Sequence, residues 1–97
     1  MKMKRMDIIL SQALEEDFIY QCQLLHVADK YTKVPDVMGR GCCNPKMGDS
    51  VWPQLNSWYM MVVSDDDAFK LKKLVESLRR EYPDEGIGCF ESEVEVL

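Results

Sequence analysis

A chain of 97 residues, 46% hydrophobic and 30% charged, is long enough for one small globular core and too short for two. Its formal net charge of −5 excludes the basic surface on which nucleic-acid binding depends. No run approaches a membrane span, and the charged start lacks a signal-peptide core, because Asp7 interrupts it and only residues 8–10 are apolar before Ser11.

In chain order, residues 4–10 read as a strand, with Met6, Ile8 and Leu10 on one face. Ser11 is a candidate cap for a following helix whose early turns carry Glu15, Glu16 and Asp17. Leu14, Phe18, Cys22 and Leu25 are spaced to form its buried stripe, and His26 falls at its end as a terminal or capping residue. Residues 31–38 form a second strand, placed at a sheet edge because Pro35 cannot donate to a ladder. Residues 58–63, Trp-Tyr-Met-Met-Val-Val, are apolar at every position, which predicts a strand buried on both faces.

Ser64 followed by Asp65, Asp66 and Asp67 is a strong helix start. Ala68, Leu71, Val75, Leu78 and Tyr82 supply the core stripe, and Pro83 stops the helix. Asp66–Lys70, Lys72–Glu76 and Glu76–Arg80 are spaced for pairing along its surface, while Arg79 and Arg80 suit its negative end. Residues 87–97 alternate as a last strand, with Phe90, Ser92, Val94 and Val96 on one face and Glu91, Glu93 and Glu95 on the other.

Strand, helix, strand, strand, helix, strand predicts an α+β, ferredoxin-like domain spanning residues 1–97: a four-stranded antiparallel sheet with both helices on one face. Such a fold leaves one sheet face uncovered. Burying a large apolar side chain is worth roughly 1.5–3 kcal/mol, so Trp58, Met60 and Val62 call for another subunit and a symmetric oligomer.

The unusual chemistry lies in the loop at 39–54. Gly39-Arg40-Gly41 reads either as a strand-exit turn, its glycines at positive φ, or as an anion site with Arg40 as the fork. Adjacent Cys42 and Cys43 with Met47 either pack the loop or take a soft metal such as zinc or Cu(I), although they lack the two-residue spacer of a chelating pair. Trp52 covers the core or a neighbouring subunit, or stacks on a base. Glycines 39, 41 and 48 give the loop little to anchor on, so it is expected to be mobile. The single histidine has no nucleophile to serve, and nothing supports an enzyme.

The layout, together with the run from Tyr31 through Pro35 to Gly39-Arg40-Gly41 and the Glu-Gly-Ile-Gly at 85–88, resembles the PII and PII-like signal-transduction proteins. The copper-tolerance CutA family is a more distant relative with the same layout. The lack of a signal core or a span places the chain, as an expectation, in the cytoplasm, and the resemblance implies a homotrimer. It would bind an adenine nucleotide such as AMP or ADP, or another small effector, in clefts between subunits. It would control a transporter or enzyme through the 39–54 segment, which stands where the family has its T-loop, and residues 85–88 stand where it has its B-loop. The implied ligand-binding residues are Gly39, Arg40, Gly41, Gly86 and Gly88. The segment 82–88 carries Asp84 and Glu85 and no cation, which favours a mono- or diphosphate over a triphosphate. The loop holds no tyrosine for a uridylylation switch. The alternative is a metal-binding trimeric module built on Cys42, Cys43 and Met47. In the cytoplasm the four cysteines should remain thiols.

Overall fold

A computed structural model describes residues 1–97. The first strand, β1, runs Lys2–Ser11 and is longer than its pattern suggests because one neighbouring strand pairs with Lys2–Ile9 and the other with Lys4–Ser11. Ser11 caps a short 3₁₀ turn, Gln12–Leu14, by accepting from the Ala13 amide, and the helix proper, α1, is Glu15–Leu25. The remaining elements are β2 (Thr32–Val37), β3 (Asn56–Val63), α2 (Asp65–Glu81) and β4 (Gly88–Glu95). The sheet order is β2-β3-β1-β4, antiparallel throughout, which is the α+β ferredoxin-like arrangement. Pro35 does lie in an edge strand, and the β2–β3 register slips between Val34 and Val37, where Asp36 adopts a φ of 58°.

The core is Met6, Ile8 and Leu10 of β1 with Tyr59, Met61 and Val63 of β3, covered by Phe18 and Cys22 of α1 and by Ala68, Leu71, Leu74, Val75 and Leu78 of α2. Leu25 departs from its predicted place and is exposed. The helix ends there, His26 turns left-handed at φ 54°, and Val27 is swung into the core instead. Ser64 caps α2 through the Asp67 amide, as its sequence predicts.

The predicted pairs along the α2 surface do not form. Lys72 reaches Glu91 of β4 at 2.8 Å, Lys73 meets Glu76 at 3.6 Å, and Arg79 leaves the helix end to donate to the Ile87 carbonyl at 2.6 Å. Packing α2 against the sheet edge offers Lys72 and Arg79 partners that spacing along one helix cannot reveal.

Strand β3 is also not buried on both faces within one chain. Tyr59, Met61 and Val63 lie under the helices, whereas Trp58 and Met60 are half-buried and Val62 is exposed on the other face.

Candidate functional site

Gly39 follows closely on β2, and Asn56 opens β3 beside it, so the chain leaves and re-enters the sheet at one end. Gly39 and Lys46 exchange both backbone hydrogen bonds, at 2.9 and 2.8 Å, which folds residues 39–46 into a small closed excursion. A β-carbon at Gly39 would stand 3.1 Å from Asn56 Nδ2, so a side chain there would have to press the Asn56 amide aside. Further on, the Asp49 carboxylate accepts from the Val51 and Trp52 amides, and Gly48 turns at φ 67° against Leu55. The loop therefore has more anchors than its glycine count implies. Of its glycines only Gly48 takes a positive φ, so the reading of Gly39 and Gly41 as left-handed turn residues does not hold. Trp52 is partly exposed.

From the other side, α2 delivers the segment 82–88 to the same place. The Glu85 amide closes a turn on the Tyr82 carbonyl, and the Arg79 guanidinium holds the Ile87 carbonyl while the Ile87 side chain is buried. Tyr82 itself is tied to α1, its hydroxyl donating to Asp17 at 2.9 Å. These contacts fix Gly86 and Gly88 opposite Gly39, Arg40 and Gly41 across a cleft of about 510 Å³. All five predicted ligand residues line it, although they come from two distant parts of the chain.

Sequence reasoning missed Lys46. Its side chain is 8% exposed, and its ammonium lies 3.3 Å from Glu85 Oε2, within ion-pair range but without the alignment of a hydrogen bond. The acidic segment 82–88 thus acquires a cation from the loop. Asn56 also lines the cleft, with its side-chain oxygen buried and unpartnered. The only local hint of Lys46 was a cation set between Pro45 and Met47 in a loop of mostly small and apolar residues. Arg40 is exposed and makes no ion pair within the chain.

Cys42 and Cys43 stand at the same cleft with their sulfurs 2.8 Å apart. The shared hydrogen bond raises the Cys43 thiol above its ordinary pKa, and burial and the negative charges of Cys42, Glu85 and Asp84 add to this. Met47 does not line the cleft, and no three His, Cys, Asp or Glu side chains are gathered as a metal set.

A second, shallower cleft lies between α1 and β2. There Glu15 Oε1 accepts from the Tyr59 hydroxyl and receives Lys33, both at 2.7 Å, and the Lys33 ammonium lies over the Tyr59 ring. Burial pushes the Glu15 carboxyl up, but Lys33 and Tyr59 together outweigh it and hold the group below its usual range. The Tyr59 hydroxyl moves well upward through burial and its bond to Glu15. Glu15, Tyr59 and Lys33 partner one another, so the cluster reads as a structural tie.

No protein-family model and no curated protein matches the sequence. Solved structures do match it in shape. The CPII protein of Thiomonas intermedia K12, bound to ADP and bicarbonate, has a TM-score of 0.73 at 20% identity over 99% of this chain and 89% of that one. A second structure of CPII, a nitrogen regulatory PII-like protein, carries ADP, AMP and bicarbonate and has a TM-score of 0.70 at 16% identity, covering 100% and 97%. A Thermus thermophilus protein assigned to PII-like signalling reaches 0.66 at 20% identity, covering 99% and 90%. With the strand order and the two converging glycine segments, these likenesses establish that the chain has the fold of the PII-like proteins.

Proposed function

We propose that this chain is a non-catalytic, cytoplasmic PII-like regulatory protein. It works as a homotrimer, binds an adenine mono- or diphosphate in the cleft between Gly39–Gly41 and Gly86–Gly88, and signals to a transporter or enzyme through residues 39–54. The observation that carries the reading is the convergence of two glycine-bearing backbone segments with two cations, Arg40 and the buried Lys46, on one cleft. Glycines let backbone amides approach a phosphate closely, and Lys46, loosely held by Glu85, has donor capacity to spare for it. The structures of CPII with ADP, AMP and bicarbonate support a nucleotide as the ligand and make bicarbonate a second anion worth titrating. The nearby carboxylates of Asp84 and Glu85 weigh against a triphosphate. The half-open face of β3 supports the trimer, with the cleft at the boundary between copies.

Calorimetry with AMP, ADP, ATP and bicarbonate tests the site. ADP or AMP should bind more tightly than ATP. Arg40→Ala should lower nucleotide affinity ten- to a hundredfold, about 1.5–3 kcal/mol for a charge-assisted bond. The proximity of the Cys42 and Cys43 sulfurs keeps a second reading, a soft-metal module, open to the same experiment. If no nucleotide binds while zinc or Cu(I) binds tightly and is lost in a Cys42→Ser/Cys43→Ser variant, the metal reading replaces the first.

A further inference from the structure

The Cys42–Cys43 pair has a geometry that favours one kind of chemistry. Both are free thiols, Cys42 exposed and Cys43 half-buried, with sulfurs 2.8 Å apart. A disulfide requires about 2.05 Å, so the sulfurs need close by only about 0.8 Å. A tetrahedral zinc with bonds of about 2.3 Å holds two sulfurs roughly 3.8 Å apart, so chelation would have to push the same pair apart. No further thiol, imidazole or carboxylate completes a metal set around them. The other two cysteines sit on α1 and β4, apart from this pair. Burial pushes the Cys22 thiol up to about 12, and it raises that of Cys89 on β4 as well.

We infer that Cys42 and Cys43 form a site for thiol–disulfide exchange with low-molecular-weight disulfides, closing a ring disulfide between neighbouring residues at the mouth of the cleft. Cys42, the more exposed, attacks one sulfur of the small disulfide as its thiolate. That S–S bond breaks, and the first half leaves as a thiol carrying the proton Cys42 gave up. Cys43 then loses its proton and attacks the Cys42 sulfur, expelling the second half, which takes that proton. Two protein thiols are oxidised, one small disulfide is reduced to two thiols, and no other reactant is needed. A ring between adjacent residues is strained, which places it among readily reduced disulfides and makes the modification reversible.

The site is also coupled to the cleft, a step that rests on the nucleotide reading above. A β-carbon at Gly86 would stand 3.6 Å from Cys42 Sγ and 3.9 Å from Cys43 Sγ, so both sulfurs form the wall that faces the glycine segment. Closing the strained ring reshapes the backbone that carries this wall and so disturbs the site, and the oxidised form binds nucleotide more weakly.

The test uses the full chain, reduced, freed of thiol and then exposed to excess oxidised glutathione. The expected result is a loss of about two mass units with no adduct retained, a fall of two in the titre of four free thiols, and a link mapped within residues 42–43. Cys42→Ser and Cys43→Ser should each abolish the ring. A persistent glutathione adduct on the wild type, a disulfide between chains, or an unreacted pair overturns the site. ADP affinity is then compared in the two redox states, with about a fivefold or greater loss expected on oxidation. Equal affinities overturn the coupling. Absence of ADP binding in both states overturns the nucleotide reading and leaves the ring, measured by mass alone, standing.

Discussion

The two faces of β3 carry nearly the same side chains and meet opposite fates. Tyr59, Met61 and Val63 are sealed under α1 and α2, with Tyr59 locked by Glu15 and ring contacts to Phe18 and Tyr31 at 5.2 and 5.3 Å. On the other face, Trp58 donates its indole N–H to Asp7 at 2.9 Å, and Asp7 also takes the Arg5 guanidinium through two contacts of 3.0 and 3.2 Å. That polar strip runs between the apolar side chains of Met60, Val62, Ile9 and Phe90. The helix-covered face was completed by the chain itself. The open face fixes its own polar groups yet leaves Val62 and Phe90 in water, 40% and 59% exposed. Apolar content alone says that a strand is to be buried, and only the packing says by what.

The comparison breaks first at its core side. Met61→Ala removes a side chain that is 1% exposed and should cost about 2–5 kcal/mol in denaturant unfolding at fixed protein concentration. A cost below about 1 kcal/mol would show that this face is not the tighter one. One position away, Met60→Glu should leave the fold intact by circular dichroism while changing the assembly. By light scattering the wild type is expected at three times the 11.3 kDa chain mass and the variant at the chain mass itself. A monomeric wild type would remove the argument that a second copy covers the open face.

The smallest effect sharpens the contrast by pH. Because Glu15 is held below its ordinary pKa in the folded chain, it contributes stability above its unfolded value, and this is lost as the pH falls through the lowered folded value. The contribution should fade as the pH falls from the usual glutamate range toward the lowered folded value, and Glu15→Gln should remove it, lowering neutral-pH stability modestly, flattening that limb and converging with the wild type in acid. Lys33 is more than a third exposed, so solvent screening keeps the effect modest. An unchanged acid profile in the variant would show that the Glu15–Tyr59–Lys33 tie does not stabilise the covered face.

Short windows of the chain were enough for whatever depends on a few neighbouring residues. The alternation of β4, the Ser64 cap of α2, the stripe from Ala68 to Leu78 and the edge position announced by Pro35 are all written locally, because strand and helix periods are local. From those elements the sheet order followed. Packing settled what depends on where an element points once it is in place. His26 turned left-handed, so Leu25 left the core and Val27 entered it. Lys72 and Arg79 turned from their own helix to Glu91 and the Ile87 carbonyl. Lys46, unremarkable in the chain, became the buried cation opposite Glu85 because a backbone bridge to Gly39 folds the loop back over the segment that follows α2. Charge contacts of this kind join residues far apart in the chain through a few ångströms of space. No sequence period records them, and they appear only when the whole fold has brought the partners together.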